Sequence, residues 1–293
     1  MADHDRTDNV MKDHKMTNSE LALLSCRLRE QTVDVITGAK TGHIGGDMSV
    51  MDILVMLYFR HMNISPANMD DPDRDKFVLS KGHSVESYYT VLAEKGFFDF
   101  EAYKNSFSRY GSEFIGHPHN TIPGVEMNSG SLGHGLPVCV GMALAGKMDG
   151  APYRVFTVMG DGELAEGSVW EGAMAAGHYH LDNLCAVVDR NGLQISGRTE
   201  DVMSHEPLAD RFAAFGWHVI ECDGHDMDSL DAAFREAEAF RGMPSVVIAH
   251  TVKGCGSSVM EDKAAWHHKV PNAEEAAQIR ADLEERKEAC RHA

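Results

Sequence analysis

The chain has no cluster of five or more Lys or Arg, and its 27 basic residues are outnumbered by 45 acidic ones, a net charge of −18. Such a surface repels phosphate backbones and anionic headgroups, which argues against nucleic-acid and membrane-surface binding. A phosphorylated small substrate would need a positive pocket set into acidic surroundings. No run of 18 apolar residues occurs, so no segment reads as a membrane span. The opening MADHDRTDNVMKDHKMTN lacks the apolar core of a secretory signal. The six cysteines (Cys26, Cys139, Cys185, Cys222, Cys255, Cys290) contain no C-x-x-C pair. That speaks against a zinc ribbon or a disulfide framework and leaves free thiols in a reducing compartment. A cytoplasmic protein is expected.

What is present is an ordinary globular composition, 43% apolar and 25% charged. Residues 1–18 read as a polar tail, closed by a Thr17/Glu20 capping-box pattern. A helix follows over 19–40, with Leu21, Leu24, Leu28 and Ile36 near one face. The Gly-rich stretch TGHIGGDMS (41–49) breaks it, and 50–62, apolar all round, reads as a buried helix. Strands are then expected at 77–80, 154–159, 184–189, 217–222 and 245–250. Helices are expected at 83–96, 132–147, 166–179, 207–216 and 228–240. Strands that are apolar throughout and alternate with helices predict an α/β fold, an open, mostly parallel sheet with helices on both faces. Residues 19–293 are read as a single domain ending in a helical tail, 273–290.

In such a sheet ligands gather beyond the carboxyl ends of the strands. The loops following 154–159 and 184–189 read Gly160-Asp161-Gly162 and Asp189-Arg190-Asn191-Gly192. Glycines around an Asp let the backbone approach a ligand and free amides for an anion. One βαβ unit separates the loops, so Asp161 and Asn191 can converge. A carboxylate and an amide oxygen suit Mg²⁺ or Ca²⁺, with diphosphate oxygens and water completing the shell. Taken singly, each loop could be an ordinary turn.

The segment 160–197, opening with G-D-G and carrying Asn191, resembles the thiamine diphosphate motif of transketolases. TGHIGGDMS, DRDKFVLSKGH (73–83), GHP (116–118), GVEMNSGSLGHGL (124–136) and EDKAAWHHK (261–269) agree with that family in order. The resemblance covers residues 20 to 275 and corresponds to the N-terminal part of a full transketolase. It implies the N-terminal subunit of a split enzyme that moves a two-carbon ketol unit from a ketose to an aldose, both sugars or sugar phosphates. A partner chain would bring the pyrimidine-binding and C-terminal domains, including a glutamate that activates the cofactor, in an assembly of two copies of each chain.

By resemblance, Asp161, Asn191 and the carbonyl of Leu193 would bind the metal, and Gly160 and Gly162 the diphosphate. Gly130 and Leu132 would line the cofactor rings, and Ile195 would pack against them. Glu166 would bind at the cofactor, and with Glu171 it matches acids that couple paired active sites. Among 17 histidines, His43, His83, His117 and His267 lie in loops that touch substrate hydroxyls or the diphosphate in that family. Moving a ketol unit requires proton traffic at sugar hydroxyls near neutral pH, work suited to imidazole. His4, His14, His61, His178, His180 and His292 read as ordinary surface or core residues.

Two positions depart from the family pattern: His134 stands for Gln and His268 for the Gly of W-H-G-K. His267 is taken as the one facing the cofactor. Lys253 and Lys269 are candidate cations beside the cofactor or a substrate phosphate, Lys253 being assigned to the cofactor; the alternative for each is a solvated surface lysine. An apolar docking face is expected on helix 133–147 with the Trp170 helix. Another thiamine diphosphate enzyme, such as the α subunit of a 2-oxoacid dehydrogenase E1 component, shares the G-D-G logic but not these histidine loops. A non-catalytic remnant is disfavoured by the intact Asp161, Asn191, His43, His83 and His117.

Overall fold

A computed structural model describes residues 16–292; the first fifteen positions of the expected tail lie outside the described residues. Thr17 and Glu20 close the capping box, the Glu20 amide donating to Thr17 Oγ1 at 3.2 Å and the Thr17 amide to Glu20 Oε2 at 2.6 Å. Helix α1 (Asn18–Ala39) starts there. It is followed by α2 (Ile44–Met56), β1 (Lys76–Leu79), α3 (Val85–Glu94), α4 (Phe100–Ser106), α5 (Gly135–Asp149), β2 (Val155–Gly160), α6 (Gly167–His178) and β3 (Leu184–Arg190). The remainder is β4 (Leu193–Gln194), β5 (Gly197–Arg198), α7 (Thr199–Val202), α8 (Leu208–Ala214), β6 (His218–Asp223), α9 (Met227–Ala239), β7 (Ser245–His250) and α10 (Ala273–His292).

Five strands form one sheet in the order β1-β2-β3-β7-β6, every pair parallel, as the alternating pattern predicts. Each strand sends alternate side chains to two apolar layers. Phe77, Leu79, Phe156, Val158 and Val247 pack beneath α1, α2, α3 and α9. Val78, Val155, Met159, Val188 and Ile248 pack beneath α5, α6 and α8. The edge strands are β1, four residues long, and β6, on which Glu221 and Asp223 are exposed.

One expectation needs correction. The glycines of 41–49 do not form a loop: only Thr41, Gly42 and His43 do, and α2 begins at Ile44. Gly45 stands inside the helix because another chain segment leaves no room for a side chain; a Cβ there would lie 2.6 Å from the carbonyl oxygen of Trp266. Helix α4 was not expected from the sequence pattern. The expected helical tail is present as α10 and packs into the domain: Ala276, Ile279 and Leu283 are buried among Val33, Ile36 and Met48, a spacing that places them on one helical face. On the expected docking helices, Val138, Met148, Met174 and Tyr179 are exposed. Trp170 instead turns inward onto Phe212, ring centroids 5.3 Å apart.

Candidate active site

In the β2–β3 register Gly160 pairs with Asp189, so the two loops leave the sheet side by side. The Asp161 amide donates to the Asp189 carbonyl at 3.3 Å. These loops floor a cavity of about 540 Å³, within the usual size of small-molecule sites. The sequence candidates His43, His83, Gly130, Leu132, Gly160, Asp161, Gly162, Asn191, Leu193, Ile195, Lys253 and His267 all line it.

Asp161 is 2% exposed. Its carboxylate accepts from the amides of Gly162 (2.9 Å) and Gly192 (2.6 Å) and from Arg190 Nη1 (2.9 Å). Burial and the neighbouring Asp189 nonetheless raise its pKa, so a cation beside it would stabilise the charged form. Asn191 Oδ1 accepts from the Leu193 amide at 3.1 Å, and the Leu193 carbonyl accepts from Lys253 Nζ at 3.2 Å. Lys253 is buried, and burial together with Lys81 lowers its pKa to about 8. Carboxylate, amide oxygen and backbone carbonyl form an all-oxygen donor set, the chemistry of Mg²⁺ or Ca²⁺. An ammonium already rests on one member, and His43 Nδ1, His267 Nδ1 and Gln194 Oε1 are buried in the lining without hydrogen-bond partners. The residues present therefore fit a divalent cation with a polar, anionic ligand.

The histidines form a tight group. The His43 ring lies 5.4 Å from that of His83, 5.8 Å from His267 and 6.2 Å from His117, between centroids. His117 is outside the lining proper but packs on Gly130, whose φ of 135° and missing Cβ admit the ring; a Cβ there would lie 2.6 Å from His117 Cδ2. Burial first, then neighbouring imidazoles and lysines, lower the pKa of His43 to about 4 and of His267 to about 3, and push His83 well down. At neutral pH these rings are neutral and can accept a proton. Histidine C2–H signals of the folded protein should therefore show His43 and His267 with midpoints near 4 and 3. The unfolded chain binds these protons first as pH falls, so their contribution to stability is present above about 6.5 and declines as pH drops toward 4. Midpoints near 6.5 for both would refute this electrostatic account.

The acidic residues divide between the surface and the cavity. Glu166 and Glu171 are exposed and stand outside the lining, whereas Glu163 belongs to it and is 2% exposed. Glu163 accepts from Ser80 Oγ and from the amides of Gly133 (2.8 Å) and Gly160 (3.1 Å), tying three loops together. Lys81, Gln194 and Ser196 also line the cavity and were missed. Lys81 immediately follows the 77–80 segment, a strand-end position that could have been noticed; it pairs with the buried Asp189. His268 is exposed, its ring 4.6 Å from His43, and His267 is the one in the lining. Exposed His134 turns Nδ1 to the carbonyls of Ser131 (3.2 Å) and Leu132 (3.1 Å). Lys269 lies over the Trp266 ring and pairs with Glu275 at 2.6 Å, and it is not part of the cavity lining.

The family profile described as transketolase, thiamine diphosphate binding domain, matches residues 22–288. The chain belongs to the transketolase family. It is 47% identical over 266 residues to one of the subunits of the apulose-4-phosphate transketolase of Phocaeicola vulgatus, covering 91% of this chain and 94% of that protein. It is 43% identical over 243 residues to the 6-deoxy-6-sulfo-D-fructose transketolase subunit SqwG of a Clostridium species, covering 82% and 88% respectively. Among solved structures, a transketolase from Campylobacter jejuni superposes with a TM-score of 0.85 at 26% identity, over 92% of this chain and 45% of that one. The thiamine diphosphate domain of a transketolase thus accounts for the parallel sheet. No described helix is long and apolar enough to cross a membrane.

Proposed function

We propose that this chain is the diphosphate-binding subunit of a two-chain transketolase, moving a ketol unit from a ketose to an aldose. The observation that carries this reading is the convergence of Asp161, Asn191 and Leu193 with His43, His83 and His267 on one cavity, in a family member that two relatives named as subunits match over most of their length. Residues 19–293 act as one thiamine diphosphate domain. Asp161, Asn191 and the Leu193 carbonyl hold Mg²⁺ (or Ca²⁺), and Gly160, Gly162 and Lys253 face the diphosphate. Gly130, Leu132 and Ile195 border the rings.

Thiamine diphosphate, when bound, supplies the electron sink needed to break and remake a carbon–carbon bond beside a carbonyl. His43, His83, His117 and His267 position sugar hydroxyls and carry their protons, a role open to them because the shifted rings are neutral at neutral pH. The partner is a chain bearing the pyrimidine-binding and C-terminal domains, docked over the exposed apolar residues of α5 and α6, two copies of each chain in a cytoplasmic enzyme.

The deciding experiment mixes the chain with its co-purifying partner, Mg²⁺ and thiamine diphosphate, and follows isotope from a labelled ketose into an aldose acceptor. Transfer supports the reading; CO₂ release from a 2-oxoacid with no transfer would replace it by a 2-oxoacid dehydrogenase. In the same assay His117→Ala is expected to lower turnover by about 10²–10⁴, the usual worth of a positioned acid–base group, with cofactor affinity nearly unchanged. An unchanged rate would leave His117 as packing for Gly130.

A further inference from the structure

Two carboxylates line the main cavity, Asp161 and Glu163. Asp161 binds its own neighbourhood, the loops after β2 and β3, and pairs there with Arg190 at 2.9 Å. Glu163 reaches across the cavity instead. Its Oε1 accepts from Ser80 Oγ and from the Gly133 amide at 2.8 Å, and its Oε2 from the Gly160 amide at 3.1 Å. Ser80 Oγ itself accepts from the Gly135 amide at 3.1 Å, so the hydroxyl proton is directed onto Glu163. All three partners donate, the surroundings of a carboxylate rather than of a carboxylic acid. Burial raises the Glu163 pKa, and these donors together with Lys81 work against that rise. Hydrogen bonds to a charged oxygen are short and strong, and this one group makes three of them.

Each partner belongs to a different wall. Ser80 directly precedes Lys81 and lies three residues before His83, both in the lining; Gly133 follows the lining residues Gly130 and Leu132; Gly160 opens the G-D-G loop. The Gly133 segment has little slack. Its φ is 82°, a Cβ there would lie 2.6 Å from Glu166 Cβ, and its carbonyl accepts from Ser168 Oγ at 2.9 Å. The separation between the G-D-G loop and the 130–133 loop is therefore spanned by a single side chain, bonded at both ends. A ligand with a diphosphate at one end and rings at the other has to meet both loops at once.

We propose that Glu163 is a positioning residue, a strut that sets the distance between the loop receiving the diphosphate and the loop bordering the rings. It acts through Gly133, Gly160 and Ser80, and it matters for a ligand that spans both loops and not for one that reaches only the first. The inference rests on reading the cavity as a thiamine diphosphate site. Glu163→Gln keeps the size of the side chain but leaves it one oxygen. If that oxygen takes the Oε1 place, the Gly160 amide faces an NH₂ group; if it takes the Oε2 place, Ser80 and Gly133 do. The strut is cut at one end in either orientation.

The test uses the chain with its co-purifying partner and Mg²⁺, and measures by calorimetry the affinities for two probes, thiamine diphosphate and inorganic pyrophosphate. Glu163→Gln, checked for an unchanged circular dichroism spectrum, is expected to bind thiamine diphosphate at least about tenfold more weakly, the scale of one lost hydrogen bond to a charged group. Its affinity for pyrophosphate should equal that of the wild type. Ser80→Ala cuts one tie and leaves both amide bonds to the carboxylate, so it should show the same selective loss by a smaller factor; it carries the test if Glu163→Gln does not fold. Wild-type affinity of the folded variant for thiamine diphosphate would overturn the proposal. So would equal weakening for both probes, which would make Glu163 a support of the diphosphate loop alone. Both of those outcomes leave the function reading standing. A wild-type complex that binds pyrophosphate but not thiamine diphosphate would overturn that reading and this inference together.

Discussion

Replacing Asp161 by alanine is expected to abolish Mg²⁺-dependent thiamine diphosphate binding, read by calorimetry as no heat at concentrations that saturate the wild type. Asp161 supplies the only charged oxygen of the proposed metal trio, and its partners contribute an amide and a backbone carbonyl. Without the carboxylate the site keeps Lys253 and loses the group that would balance a divalent cation. The substitution also touches the fold. The amides of Gly162 and Gly192 and the Arg190 guanidinium each lose an acceptor, and a buried donor left unpaired costs about 1–3 kcal/mol. The variant should therefore remain folded but melt at a lower temperature. Asp161→Asn keeps an acceptor of the same shape without the charge, so it should restore much of the melting temperature and little of the binding. If Asp161→Ala bound the cofactor with wild-type affinity, the metal assignment would fail.

The second large effect concerns the chain by itself. With Mg²⁺, thiamine diphosphate, a ketose donor and an aldose acceptor, the isolated chain should turn over at least about 10²–10⁴ more slowly than with its partner, the worth of one absent acid–base group. The cavity explains why. Its lining from this chain is rich in oxygen, amide and imidazole groups suited to a diphosphate, a cation and sugar hydroxyls. Ile195, the apolar residue proposed to border the cofactor rings, is 75% exposed, so that wall stands open. No residue of the lining is placed to act as the activating glutamate: Glu163 is consumed by Ser80, Gly133 and Gly160. Rapid turnover without any second polypeptide would overturn the two-chain reading.

Much of the fold could be read directly from the chain because its strands are buried on both faces. Continuous runs such as RVFTVM and LCAVVD leave little alternative to a parallel sheet, and their carboxyl ends point to the site. The two loops at the strand ends are placed by the same pattern, whereas the other site residues follow from the resemblance to the transketolase family. Position in three dimensions was harder. Glu163 and Glu166 are three residues apart, and only the 3₁₀ turn after β2 decides that the first is buried and the second exposed. Glycine misled where packing overrode propensity, as at Gly45 against Trp266.

The edges of the sheet carry a consequence for assembly. Strand β1 offers four residues, too little backbone for stable pairing with a foreign strand. Strand β6 places exposed Glu221 and Asp223 on its rim, and charge on an edge strand discourages the addition of another. Recruitment by β-augmentation is thereby closed from both ends. A partner must recognise this protein through side-chain relief instead, and its specificity has to be written in surface shape and charge, where single substitutions can tune or abolish it without disturbing the sheet.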